Sequence, residues 1–261
     1  MRLVTLADGR AARIEGDHYE PLPGRVVDHL CRPPAAPSGR PLPIEDTPLL
    51  APIPRPGKVI CVGLNYKDHA EETGATPPER PMLFGKAATC VVGPGRDIEM
   101  PADDVKLDYE AELAVVIGAL GRHLTEEQAP SVIGGYACFN DVSERIAQKT
   151  DGQFFRGKSF DTFGPFGPLI ATPDEIDDPQ HLTIRCLVND EVRQDSSTSA
   201  MIFSINHIVA YCSRAFTLEP GDVIATGTPS GVGAGSGRFL QRGDIVSVQV
   251  EGLGTLTNQV V

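Results

Sequence analysis

In LDYEAELAVVIG, residues 107–118, acids recur at every second position: Asp108, Glu110 and Glu112. Strand side chains alternate faces, so a strand here sets the three carboxylates on one side and Tyr109, Ala111 and Leu113 on the other. Same-face neighbours are ~7 Å apart at the backbone. Long Glu side chains can converge from there on one hard cation, with oxygens at ~2.0–2.1 Å for Mg²⁺. The competing reading is a solvated strand edge, where a row of charge discourages aggregation. A further acid, Asp141, follows the apolar YACFN and opens DVSERIAQK, which reads as helical. Asp141 can cap that helix, and Asp141, Arg145 and Gln148 at i, i+4 and i+7 share one stripe of it. An acid, a guanidinium and an amide together suit a metal that also holds an anionic ligand, since Arg offers a carboxylate a bidentate fork. An exposed ion pair is the plainer role for Arg145.

NYKDHAEETG puts His69 and Glu72 at i, i+3 on one face of a short helix, with Asn65 as a cap and Gly74 as a stop. A carboxylate can orient an imidazole and raise its basicity, as a general base requires. A surface pair is the bland alternative. Gly63, Gly74, Pro77 and Pro78 nearby suggest a segment able to act as a lid. GKSFDTFGPFGP carries Lys158 between a glycine and small residues, either in a site or in a surface turn. ATGTPSGVGAGSG lacks the lysine of a P-loop and the G-x-G-x-x-G helix entry, which excludes a nucleotide site there. Its backbone N–H groups can still hold a carboxylate.

Several elements must position these residues. KVICVG, DVIATG and DIVSVQV read as strands and HLTIRCLVNDEVRQ as a hairpin. SINHIVAYCSRAF has helical spacing after Ser204, and Thr125 and Gln128 have capping-box spacing. Residues 1–30 look β-rich, with Asp8-Gly9 as a hairpin turn. The stretch Arg32–Lys58 holds 9 of the 23 prolines and reads as an extended connection that can hug the main body. The division expected is residues 1–57, a β-rich segment with its proline-rich connection, and residues 58–261, the catalytic domain.

The 261 residues carry a net charge of −12, which argues against nucleic acid as a partner. No apolar run approaches the ~18 residues of a membrane helix, and MRLVTLADGR lacks a signal-peptide core, so a cytoplasmic location is expected. The six cysteines lack CxxC or zinc-ribbon spacing and read as buried, reduced thiols.

GLNYKDHAEETG, DYEAELAVVIG, FNDVSER, GKSFDTFGPFGP and LEPGDVIATGTPSGVG occur here in the order typical of the fumarylacetoacetate hydrolase family. The resemblance covers most of Lys58–Val261 and is nearest the bacterial branch of acylpyruvate hydrolases, 2,4-diketo-3-deoxy sugar-acid hydrolases, 2-hydroxyhepta-2,4-diene-1,7-dioate isomerases and oxaloacetate decarboxylases. It implies an α+β, β-dominated fold, a mixed β-roll with a short N-terminal β-rich appendage, in a homodimer. It implies Mg²⁺ or Mn²⁺ held by Glu110, Glu112 and Asp141; Asp108 falls in the same motif and is expected to support the ligands rather than bind directly. By the same resemblance His69 and Glu72 match a lid dyad, Lys158 an active-site lysine, Arg145 and Gln148 positions near a substrate carboxylate, and Thr228 a loop that binds substrate through its backbone. The reaction expected is hydrolysis of a C–C bond in a small 2,4-dioxo acid of acylpyruvate type through a metal-stabilised enolate, with His69 and Glu72 activating water. The same enolate serves isomerisation or decarboxylation. A non-catalytic oxo-acid or metal binding protein is the alternative from another class.

Overall fold

The computed structural model describes residues 1–45 and 47–261. Six strands form the heart of a mixed sheet, in spatial order Gly164–Ala171, Ile133–Asn140, Ala111–Ile117, Val223–Ala225, Val59–Gly63 and Met82–Lys86. Neighbours in this run are antiparallel except Val59–Gly63 beside Val223–Ala225. Every residue of Ala111–Ile117 and Ile133–Asn140 is buried. Both faces are covered, which is why AELAVVI reads as a continuous apolar run rather than an alternation. Each fully buried Val, Leu or Ile there contributes about 1.5–3 kcal/mol.

A second, four-stranded sheet has the order Glu191–Ser197, Thr183–Val188, Ile245–Val250 and Thr255–Gln259. Its middle strands alternate, with Ile184, Cys186, Val188, Val246, Val248 and Val250 buried between exposed or half-buried neighbours. One face lies on the main sheet and the other meets water. The fold is thus strand-dominated α+β with a mixed sheet, as expected.

The N-terminal strand Arg2–Leu6 pairs antiparallel with Gly164–Ala171, so residues 2–21 continue the main sheet outward through Ala11–Glu15 and His18–Pro21. Gly9, at φ +86°, makes the turn between the first two strands. The proline-rich stretch lies along this edge: Leu49–Leu50 pairs with Arg2–Leu6, and the Pro52 carbonyl accepts from Thr5 Oγ1 at 2.7 Å. Asp46, within that stretch, lies outside the described residues.

Three local expectations need correction. Asn65 does not cap the helix Lys67–Thr73, whose N-cap is Tyr66. The buried Asn65 amide bonds Phe203 and Thr226 instead. Gly74 does end that helix, at φ +65°. DVSERIAQK is helical only over Arg145–Thr150. Five cysteines are buried and all six are free, but Cys31 is exposed. Among the described residues no helix is long and apolar enough to cross a membrane.

Candidate active site

The strand Ala111–Ile117 pairs with Ile133–Asn140 along its length, but with Val223–Ala225 only over Ala114–Val116. Beyond Ala225 the chain turns off through Thr226, Gly227 and Thr228. The acids sit where that ladder stops. The regular strand also breaks at Tyr109–Glu110, and Leu107–Asp108 pairs separately with Ser143–Glu144. The single row of three acids predicted from alternation is therefore not formed. Asp108 serves the backbone: Oδ1 accepts from the N–H groups of Tyr109 (2.9 Å) and Gly233 (2.6 Å), and Oδ2 from Ala234 N–H and Arg145 Nε, both at 2.8 Å.

Asp141 takes the vacant place. It opens no helix, and it shares no helical stripe with Arg145 and Gln148. Glu144 is the cap, accepting from Ile146 N–H (2.9 Å) and Ala147 N–H (2.6 Å). Relieved of capping, Asp141 donates its N–H to the Glu110 carbonyl at 2.9 Å and turns its carboxylate inward. Glu110, Glu112 and Asp141 each bring a buried carboxylate oxygen within 4.8 Å of the other two. The spacing expected for a cation site is thus reached by two chain segments rather than by one strand.

Cations surround the cluster. Lys158 Nζ, in the short helix Phe155–Lys158 and 2% exposed, lies 2.7 Å from Glu110 Oε2 and 2.8 Å from Asp141 Oδ2. Arg145 Nη2 lies 2.7 Å from Glu110 Oε1 and 2.8 Å from Asp108 Oδ2. Lys86, which the sequence reading missed, closes the edge strand Met82–Lys86 and bonds Asp141 Oδ1 and the Val142 carbonyl. A lysine ending the apolar PMLFGK was its only signal. Asn140 was missed too; its Oδ1 accepts from Glu110 N–H at 3.0 Å.

Acids outnumber cations here. Four carboxylates (Asp108, Glu110, Glu112, Asp141) face three cations (Lys86, Arg145, Lys158). Burial pushes Glu110 up, but Lys158 and Arg145 outweigh it and hold its carboxyl down to about 2. Burial drives Glu112 well above the ordinary carboxylate range, and Asp141 and Glu110 push it further. Among the described residues Glu112 has no cationic partner, only the Gly227 N–H at 2.9 Å. A buried carboxylate in that position calls for a counter-charge. Three hard oxygen donors, one of them on a carboxyl without a cationic partner, fit a divalent cation such as Mg²⁺ or Mn²⁺.

A cavity of about 180 Å³ opens beside the cluster. Seven of the nine predicted site residues line it: His69, Glu110, Glu112, Arg145, Gln148, Lys158 and Thr228. Glu72 and Asp141 stand one bond behind. His69 Nδ1 is 3.2 Å from Glu72 Oε2, and Glu72 Oε1 accepts from Gly231 N–H at 3.0 Å. Gln148 Oε1 accepts from Arg145 Nη1 at 2.9 Å, which leaves the Gln148 amide nitrogen as a donor toward a ligand. Thr228 spends its hydroxyl proton on the Ala111 carbonyl at 2.9 Å, so its backbone is what it can offer. Val62, Leu64, Met82, Phe84 and Phe154 form an apolar wall, with Phe84 and Phe154 edge to face at 5.3 Å.

The glycine-rich loop does bind carboxylates, and they are the protein's own. Gly227 N–H holds Glu112, Gly231 N–H holds Glu72, and Gly233 and Ala234 N–H hold Asp108.

Known proteins resemble the chain over most of its length. The chain is 46% identical over 224 residues to oxaloacetate tautomerase YisK of Bacillus subtilis, covering 83% of this chain and 74% of that protein. The fumarylacetoacetate hydrolase of Exiguobacterium antarcticum superposes with a TM-score of 0.90 at 41% identity, over 100% of this chain and 99% of that one. The 2-hydroxyhepta-2,4-diene-1,7-dioate isomerase of Mycobacterium marinum superposes with a TM-score of 0.85 at 39% identity, over 100% and 98%. Residues 58–261 match the family described as fumarylacetoacetate (FAA) hydrolase C-terminal, and on these grounds the chain belongs to the fumarylacetoacetate hydrolase family.

Proposed function

We propose that this protein is a divalent-cation-dependent enzyme of small 2-oxo acids, and that its reaction is keto–enol tautomerisation of an oxaloacetate-type substrate. The observation that carries this reading is one imidazole–carboxylate pair, His69–Glu72, sharing a small cavity with the carboxylate cluster. Moving a proton between carbon and oxygen needs one base, support for a developing oxyanion, and little room. The similarity to YisK supports the same reading.

Glu110, Glu112 and Asp141 would hold Mg²⁺ or Mn²⁺. When bound, the cation supplies Lewis acidity to the oxygens of a 2-oxo acid. With a divalent cation bound and all four carboxylates ionised, the cluster with its three cationic side chains would carry a net positive charge and attract an anion. Arg145 and the Gln148 amide nitrogen grip the substrate carboxylate. His69, oriented by Glu72, takes a proton from the carbon beside the 2-oxo group and returns it at the other position. Lys158 has three N–H groups and uses two on carboxylates, so one is free to steady negative charge on oxygen. The apolar wall keeps bulk water away.

A second reading is hydrolysis of the C–C bond of an acylpyruvate-type 2,4-dioxo acid, with the same pair activating water. The wall of Met82, Phe84 and Phe154 favours it, since an apolar acyl group fits there. Products decide between them. Purified protein with Mn²⁺ or with EDTA is given oxaloacetate enol, acylpyruvates and a hydroxyhepta-diene dioate, followed by ultraviolet absorbance and mass spectrometry. Metal-dependent loss of enol absorbance without mass change is expected for tautomerisation. Cleavage to pyruvate and a second acid would replace the first reading by the second. No turnover of any 2-oxo acid would sink both.

A further inference from the structure

The strand Glu191–Ser197 belongs to the outer four-stranded sheet, yet two of its side chains bond the segments that carry the cavity's lining residues. Gln194 is 1% exposed. Its Oε1 accepts from Ala111 N–H at 2.9 Å, and its Nε2 donates to Thr228 Oγ1 and the Pro229 carbonyl, both at 2.8 Å. Thr228 Oγ1 donates in turn to the Ala111 carbonyl. Ala111 is the residue between Glu110 and Glu112, and it lies past the end of the ladder with Val223–Ala225. Gln194 and Thr228 thus replace the missing strand and clamp the peptide that sets the spacing of the two glutamates.

Two residues on, Ser196 lies on the same face of the strand. Its Oγ donates to Asp68 Oδ2 at 2.9 Å, and Ser230 Oγ reaches the same oxygen at 3.3 Å. Asp68 Oδ1 accepts from His69 N–H at 2.8 Å. Ser196 therefore holds the first turn of the helix that carries His69 and Glu72.

We propose that Gln194 and Ser196 are positioning residues which, from one strand, register the cation wall against the base wall. Gln194 acts through Ala111 and Thr228, and Ser196 acts through Asp68. This rests on the reading of the three carboxylates as cation ligands and His69 as the base. The two residues act on separate walls, so their effects separate.

The test is Mn²⁺ binding by electron paramagnetic resonance, hydrogen exchange over residues 66–74, and kcat on the best substrate of the panel. Gln194→Met is expected to weaken Mn²⁺ at least about tenfold, the effect usual for a group that orients a metal ligand. Gln194→Glu keeps the acceptor for Ala111 N–H but loses the donor to Thr228, and should retain more Mn²⁺ affinity than the Met variant. Ser196→Ala should leave Mn²⁺ affinity unchanged, speed exchange over 66–74 and lower kcat about tenfold, since small misplacements of a base are costly. Ser196→Thr, which keeps the hydroxyl, should restore both. Mn²⁺ affinity within twofold of wild type in a folded Gln194→Met protein would overturn the Gln194 arm. Unchanged exchange and kcat in Ser196→Ala, or no rescue by Thr, would overturn the other. Should Gln194→Met not fold, Gln194→Glu and the Ser196 pair still decide. A wild type without turnover would refute the proposed reaction, while the binding and exchange results stand independently.

Discussion

The Asp141 N–H donates to the Glu110 carbonyl at 2.9 Å, and this bond joins two chain segments exactly where each leaves its regular strand. It places both carboxylates on Lys158, and Glu112 follows two residues along. The cluster so formed carries more acid than the cations around it neutralise. Four predictions follow from that imbalance and from the cavity beside it.

Glu112→Gln should separate stability from metal binding. The amide keeps a carbonyl oxygen for Gly227 N–H and stands in for the neutral acid that burial favours, but it cannot ionise to meet a cation. Without metal the variant should be as stable as wild type, or more so by about 1 kcal/mol. Its Mn²⁺ affinity should fall by about a hundredfold or more. Chemical denaturation and Mn²⁺ titration check the two together; strong destabilisation of the metal-free variant would refute the charge argument.

Metal binding should release protons. Burial, with Asp141 and Glu110, holds the Glu112 carboxyl well above its usual range, so the metal-free folded protein keeps that proton at pH values where the unfolded chain has lost it. Glu112 therefore favours folding at low pH, and its contribution is lost as pH rises through the raised value. A cation needs the carboxylate, so affinity climbs with pH over the same window. Glu110 has the opposite sign: its carboxyl sits at about 2, so its contribution is present above the ordinary carboxylate range and lost as pH falls toward that value. Calorimetry in buffers of different ionisation enthalpy at about pH 6 should show proton release, and a buffer-independent heat would contradict it.

His69→Ala should cut kcat by about 10²–10⁴-fold, the usual worth of a general base, with Mn²⁺ affinity within twofold of wild type. Glu72→Gln should fall between, since the amide still reaches Gly231 N–H through its oxygen but no longer presents a charge to the imidazole. Unaltered kcat in His69→Ala would remove the pair from the mechanism.

Lys86→Met should make the protein lean on metal. Asp141 loses one of its two lysines and keeps only Lys158. Breaking a buried ion pair costs about 3–5 kcal/mol, and the cluster becomes more negative. The metal-free Tm should drop and the rise on adding Mn²⁺ should exceed that of wild type. Equal Mn²⁺-induced shifts would show that Lys86 does not act on the cluster.

Much of this protein was written in local sequence. The apolar run AELAVVI, the hairpin around Asn189-Asp190, the helix after Ser204 and the Gly74 stop follow from side-chain periodicity and turn chemistry, which act over a few residues. Spacing offered the acids, His69, Glu72 and Lys158 only as candidates, each with a plainer surface role, and the family resemblance singled them out. Tertiary structure decided which acids meet. Alternation grouped Asp108 with Glu110 and Glu112, but the break at Tyr109–Glu110 gave Asp108 to the glycine-rich loop and Arg145. Helical spacing gave Asp141 a cap to make, but Glu144 made it, and Asp141 joined the cluster. Gln194 carries no local signature and Lys86 only its place at the end of an apolar run, since their partners lie across the sheet. Periodicity fixes the direction of a side chain relative to its own element. Where an element stops, and what a buried charge meets there, depends on the strands packed beside it.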